Sequence, residues 1–260
     1  MPWLPIVLVA VLLAGGAAWW FWLREAPGPT APDPLASDVI TPMDPDTTGD
    51  GRMVVPPLEL PTLAESDPVL QRVVGALSRN PRWAEWLVTD DLARRFVGAV
   101  AAVAAGVDPR DRVPFLAPEG EFTVRSAPGG GTEIDPASWR RYDPITTAFV
   151  SFDTEAAVRL YLQLEPLFEQ AHQELGFPAD SFGLTMSTAL DNVLSVQVPA
   201  SPPGVTLDVK TYLFDDPGLE AAPPVARQLM RLGPDNAGRV QAKLREFRDA
   251  LVRMEAIPRR

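Results

Sequence analysis

Residues 153–176 read DTEAAVRLYLQLEPLFEQAHQELG. Asp153 stands where a helix N-cap belongs. Ala157, Leu160, Tyr161, Leu164, Leu167, Phe168, Ala171 and Leu175 then recur at helical spacing. That period predicts a helix with one apolar face, closed by Gly176. Pro166 lies inside it, lacks the N–H that would bond the Leu162 carbonyl, and predicts a kink. A helix with a single apolar face must cover it with other elements, so its neighbours decide the fold.

Toward the C-terminus, Ser181 is expected to cap a helix reaching about Val196, and Val205 to Phe214 reads as one strand. A helix from Ala226 to Leu232 stops at Gly233, and Pro234-Asp235 opens the last one. There Ala237, Val240, Leu244, Phe247, Leu251 and Met254 form an apolar stripe, with Asp235–Arg239 and Arg245–Asp249 as i,i+4 ion pairs on the solvent side. The stripe spans fewer than three heptads, so it reads as a face laid on the domain core rather than a coiled-coil dimer seam.

Toward the N-terminus, Asp143-Pro144 opens a helix. Glu121 to Arg125 alternates like a strand, turns at Gly129-Gly130-Gly131 and returns over Thr132 to Ile134. Asp90 or Asp91 is expected to cap a helix carrying Leu92, Phe96, Val100 and Val103 and ending at Gly106. Asp67-Pro68 caps and opens another, with Val69, Leu70, Val73, Val74 and Leu77 on its apolar face. The fold class expected is mainly α with a small β component (α+β).

Trp3 to Leu23 carries no charged residue, and at about 1.5 Å per residue it spans roughly 30 Å, the thickness of a bilayer core. Trp19, Trp20, Phe21 and Trp22 close the run as an interfacial aromatic belt before Arg24 and Glu25. A cleaved signal peptide would need basic residues ahead of the apolar run, and none is there. Residues 1–25 are therefore expected to be a single-pass transmembrane anchor. Residues 26–62 hold nine prolines and six acidic residues against one Arg. Such a stretch buries too little apolar surface to offset its ordering entropy and should act as an extended spacer, at most on the order of 110 Å long. Residues 63–260 form the soluble, mostly helical domain, with possible lobes at 63–108 and 109–260.

The net charge of −11 argues against nucleic acid, which needs a basic surface to neutralise phosphates. The absence of cysteine excludes disulfides, thiolate metal sites and an acylated lipoprotein anchor.

Candidate chemistry is sparse. Asp44, Asp46, Gly49 and Asp50 resemble part of a calcium loop. Thr48 stands where a further acidic or amide ligand belongs and Val55 where a bidentate Glu belongs, so the stretch reads as solvated linker. His172, the single histidine, falls beside the apolar stripe of its helix, and a surface or half-buried position is expected. No Ser or Cys partner is apparent for a triad. Asp90-Asp91 and Asp215-Asp216 precede a helix or a Pro and read as caps rather than paired catalytic carboxylates. Gly129 to Gly131 reads as a turn, not a phosphate cradle. Trp83, Trp86 and Trp139 read as core aromatics, with stacking on sugars as the alternative. No catalytic, cofactor-binding or metal residue is assigned.

Several separated motifs together resemble one family. They are Ser66-Asp67-Pro68; residues 113–124, VPFLAPEGEFTV; Tyr142-Asp143-Pro144 with Ala148-Phe149; Leu175-Gly176-Phe177-Pro178; and residues 232–237, LGPDNA, ahead of Val240 to Leu244. In this order they resemble the bacterial domain of unknown function numbered 3014, over about Leu63 to Phe247. The resemblance brings no reaction and no catalytic residues. It implies a membrane-tethered envelope protein of Gram-negative-type bacteria. The basic count beside the anchor, Arg24 alone, is too small to orient it. The linker and the resemblance place the soluble domain in the periplasm and the anchor in the inner membrane. The function expected is a non-enzymatic interaction or scaffold module that binds another envelope protein, with no cofactor and an open oligomeric state. The alternative is a protein that binds or cleaves cell-wall glycan through carboxylates and exposed Trp.

Overall fold

The structure is a computed structural model and describes residues 60–255. The anchor segment Trp3–Leu23, nearly all of the linker and the Asp44–Gly51 loop lie outside them. Among the described residues no helix is long and apolar enough to cross a membrane.

The elements run in this order: α1 (Asp67–Gly75), α2 (Pro81–Trp86), α3 (Leu92–Ala104), β1 (Val124–Ser126), β2 (Thr132–Ile134), α4 (Pro136–Arg140), α5 (Asp143–Phe149), α6 (Thr154–Glu174), α7 (Phe182–Leu194), β3 (Val205–Asp208), β4 (Thr211–Phe214), α8 (Pro217–Glu220), α9 (Pro224–Arg231) and α10 (Pro234–Glu255). The fold is mostly helical with two small antiparallel sheets, β1–β2 and β3–β4, as the α+β reading expects.

Helices α3, α6, α7 and α10 pack on one another around the larger core. Leu70, Ala93, Val97, Tyr161, Leu164, Phe168, Phe182 and Leu190 fill it. Leu70, Ala93 and Val97 thus share a core with α6 and α7, across the 108/109 lobe boundary. The apolar face of α6 is rotated from the expected one. Val158 and His172 are buried, whereas Leu175 is 40% exposed. The helix is continuous through Pro166 from Thr154 to Glu174. Leu244, Phe247 and Leu251 of α10 lie half-buried on this core, and the Phe247 ring meets Tyr161 edge-on at 6.0 Å. The stripe is therefore core-facing, but Ala237, Gln241 and Ala250 are its buried positions.

A smaller core joins Ile134, Val205, Phe214, Ala226 and Met230, where the two hairpins meet α9. A Glu133–Gly204 bridge links the hairpins. Val205 to Phe214 is not one strand. It folds back at Val209-Lys210, with Val209 at φ 51°, a left-handed conformation that β-branched residues rarely adopt.

Two caps differ from expectation. Asp67 does not cap α1; Ser66 holds the N-cap position. The Asp67 carboxylate instead accepts the N–H groups of Asp91 and Leu92 at 2.7 and 2.9 Å, capping α3 from another helix. Asp91 is left-handed, at φ 59°, makes no capping bond, and pairs with Arg94 at 2.9 Å. Ser181 likewise does not cap α7; the Glu169 carboxylate on α6 accepts the N–H groups of Ser181 and Phe182 at 3.3 and 2.9 Å. A carboxylate at a helix N-terminus satisfies orphan donors and meets the positive end of the macrodipole, so each bond also fixes one helix on another. The expected pairs Asp235–Arg239 and Arg245–Asp249 do not form. Arg239 reaches Thr147 at 3.0 Å, and the α10 ion pairs run from Lys243 to Glu246, Arg248 to Asp191 and Asp249, and Arg253 to Glu155.

Candidate functional site

The sole histidine lies at the hinge of the α6–α7 hairpin and is fully buried, not half-buried or at the surface. Burial follows from the register of α6, which turns position 172 inward with Phe168 and Ala171. Its ring stacks on Phe177 at 4.2 Å with the planes 3° apart, and meets Phe182 edge-on at 5.4 Å. Ser181 and Thr185, one helical turn apart at the start of α7, grip its two nitrogens. Ser181 Oγ lies 3.3 Å from Nδ1 and Thr185 Oγ1 lies 3.1 Å from Nε2.

The hydroxyl protons assign the tautomer. Ser181 Oγ donates to the Pro178 carbonyl at 2.5 Å. With that proton committed, its oxygen only accepts from His172, so Nδ1 carries a proton, and in the neutral ring Nε2 accepts from Thr185. Burial pushes the His172 pKa below its ordinary value, against the opposing pull of Glu169. Burial also pushes the Glu169 carboxyl up, but the N–H bonds from Phe182 and Ser181 outweigh it and hold the carboxyl below its usual range. The neutral imidazole has both nitrogens bonded and no exposed face. Ser181 gives its proton to a carbonyl and is not activated as a nucleophile. This network locks α6 to α7, with both ring nitrogens and both hydroxyls bonded within it.

The other candidates are accounted for locally. Trp83 is half-buried and donates its indole N–H to the Val74 carbonyl at 2.9 Å, while Trp86 is buried against Trp83 and Phe115. Trp139 is half-buried over Gly233, and its Nε1 is buried without a partner. Asp216 caps α8 by accepting the N–H groups of Gly218 and Leu219, and Asp215 accepts from the Thr206 hydroxyl at 2.7 Å. Gly130 and Gly131 form the β1–β2 turn at φ 90° and 82°. Glu246 is held below its usual range by bonds from Thr154 and Lys243. A shallow depression lined by Leu77, Ser78, Asn80, Ser151 and Asp153 holds a Ser78–Ser151 hydroxyl contact of 2.6 Å and the Asp153 cap of α6. Among the described residues no three His, Asp or Glu side chains come together as a metal-ligand set.

What reaches the surface is aromatic. Phe177, 42% exposed, stacks on His172. His172 meets Phe182, which lies 6.2 Å from Phe96, itself 39% exposed and 4.9 Å from Phe168. A continuous run of rings therefore emerges from the core at two places. Leu175, beside Phe177 in the same turn, adds to it. The sequence reading gives Phe177 only as part of a family motif and Ser181 only as a helix cap, and pairs neither with His172. The signal was the Ser181–Thr185 pair at i,i+4, meaningful only once His172 is known to face it.

A family model described as "Protein of unknown function (DUF3014)" matches residues 92–248, from the start of α3 through most of α10. Neither the curated proteins nor the solved structures contain a match.

Proposed function

The chain belongs to the family described as protein of unknown function (DUF3014). From that premise we propose that it is a non-enzymatic interaction module of the cell envelope. In this reading Trp3–Leu23 anchors it in the inner membrane, the Pro-rich segment 26–62 spaces it from the bilayer, and the helical domain binds another envelope protein in the periplasm. The observation that carries the reading is the emergence of the ring run at Phe177 and Phe96, since half-exposed aromatics backed by rigid core serve as anchors for a protein partner. Two further observations support it. His172 and Ser181 are committed to each other and to backbone. Glu169 and Glu246 are shifted downward, opposite to what a general acid needs.

The test is in-cell photocrosslinking of the full chain with the reactive residue at Phe177, and at exposed Arg253 as a control. Capture of a discrete protein at 177 and not at 253 is the result expected. Capture of glycan fragments at 177, or equal capture at both sites, would sink the reading. Topology is tested separately, by a reporter active only outside the cytoplasm fused after Arg260. It should be active; silence there, with a cytoplasmic reporter active at the same place, would reverse the orientation.

A further inference from the structure

The outward face of α9 poses a different problem from His172. Arg227, Gln228 and Arg231 share one side of this helix by their i,i+3 and i,i+4 spacing. All three are half-buried, and none of residues 225–234 is exposed. Arg227 is ion-paired with Glu220. Arg231 has no carboxylate partner among the described residues. One of its terminal nitrogens donates to the Tyr212 carbonyl at 2.9 Å, and its guanidinium lies 5.6 Å from the centre of the Phe214 ring. Its other N–H donors have no protein acceptor among the described residues. Tyr142, only 8% exposed, reaches the same face, where its hydroxyl accepts from Gln228 Nε2 at 3.3 Å. The hydroxyl's own proton has no acceptor among the described residues.

These groups share unused donors. A half-buried guanidinium with no ion pair, a second Arg and a tyrosine hydroxyl lie on one side of α9, with donors that no group among the described residues accepts. A half-buried cation is held at lower cost when a charged acceptor meets it. Burial, then repulsion from Arg227, pulls the Arg231 pKa down; Glu220 opposes the shift and Arg110 adds to it. Arg110 is itself taken by Asp108, 2.5 Å away. In a chain of net charge −11, three arginines at one place with a single unmatched guanidinium is a local excess of positive charge.

We propose that Arg231, Arg227 and Tyr142 form a binding site for a small oxyanion, a carboxylate or phosphate group. One oxygen would take the free edge of the Arg231 fork and another the Tyr142 O–H. Planar guanidinium donors suit such groups, and the Arg231 guanidinium lies against the Phe214 ring, 5.6 Å from its centre.

The test is calorimetric titration of the full chain in neutral detergent at pH 7. Inorganic phosphate is one titrant and acetate another, with chloride at matched ionic strength as reference because exposed ionic binding is screened. Saturable binding of one anion per chain is expected. Phosphate stronger than acetate points to a phosphate-bearing ligand; acetate equal or stronger points to a carboxylate. Arg231→Gln should weaken binding about tenfold or more, the loss expected for a charge-assisted hydrogen bond. Arg231→Lys, which keeps the charge and loses the fork, should fall between. Tyr142→Phe removes only the hydroxyl and should weaken binding several-fold, which keeps the test sound if Arg231 variants fold poorly. Arg253→Gln, at an exposed site, should change nothing. Absence of saturable binding in wild type, or undiminished binding in both Arg231→Gln and Tyr142→Phe, would overturn the site.

Discussion

The two cores of this domain treat their polar groups in opposite ways. In the larger one, His172, Ser181, Thr185 and Glu169 are mutually satisfied, and every proton has a place to go. In and beside the smaller one, Trp139 Nε1 is buried with no partner, and among the described residues the Tyr142 proton has no acceptor and Arg231 no direct ion pair. A closed network makes a unique, rigid packing, because any rearrangement leaves a buried group unpaired. An open one is a standing cost that a ligand relieves. The buried histidine, the usual suspect for chemistry, is thus part of the scaffold, while the less conspicuous arginine face is where the molecule has something left to bind.

The largest effect that would break the smaller core is expected at Gly233. Its φ is +80°, and a Cβ there would lie 2.5 Å from Cδ2 and 2.9 Å from Cβ of Trp139. Gly233→Ala meets both a left-handed backbone and the Trp139 ring, so it should cost about 3 kcal/mol or more in chemical denaturation. A loss under about 1 kcal/mol would mean that the Trp139–Gly233 contact is not tight.

In the larger core, Phe247→Ala should cost about 2–3 kcal/mol. That is below the roughly 3–5 of a fully buried Phe, because the ring is only half-buried against Tyr161. The cost should be independent of protein concentration. A wild-type melting temperature that rises with concentration, and ceases to do so in Phe247→Ala, would make α10 an oligomer seam instead.

The caps supplied from other helices come next in size. Glu169→Ala strips two acceptor bonds from the start of α7 and should cost about 2 kcal/mol; Asp67→Ala does the same at α3 and should cost about 1–2. If either change cost no more than an exposed carboxylate such as Glu155, the cross-helix caps would be incidental.

The sequence made the long elements legible because their apolar spacing spans many turns: α6 and α10 were placed to within a few residues, as were the glycine stops at 106, 176 and 233. The short helices α2 and α4 escaped, and of α8 only the capping acid pair was read, although each opens with Asn or Asp followed by Pro, at Asn80, Asp135 and Asp216. Four to six residues are too few for a period to show. The β3–β4 turn escaped because Val209-Lys210 carries none of the Gly or Asn that such turns usually need. The cross-helix caps and the two polar networks were not legible at all. A carboxylate on one helix serving the N-terminus of another is a tertiary fact, with no spacing along the chain to mark it.

The smallest effect expected separates closed from open by pH. The His172 pKa is lowered in the folded state, so as pH falls the unfolded chain takes up the extra proton first. Stability should be full above the unfolded value of about 6.5 and fall as pH drops below it, by at most about 1.4 kcal/mol per pH unit. His172→Gln should flatten that slope. Glu169, lowered in the folded state, adds a further loss only at more acid pH, as its carboxylate is protonated.

Nitrogen-15 NMR of the imidazole tests the closed network most directly, since the chain has one histidine and every imidazole signal belongs to it. At about pH 6, half a unit below the ordinary histidine value, the full chain in detergent should show a neutral ring with the proton on Nδ1 and a bare Nε2. An imidazolium at that pH, free titration near the ordinary value, or a proton on Nε2 would contradict the network and return His172 to the list of groups available for chemistry.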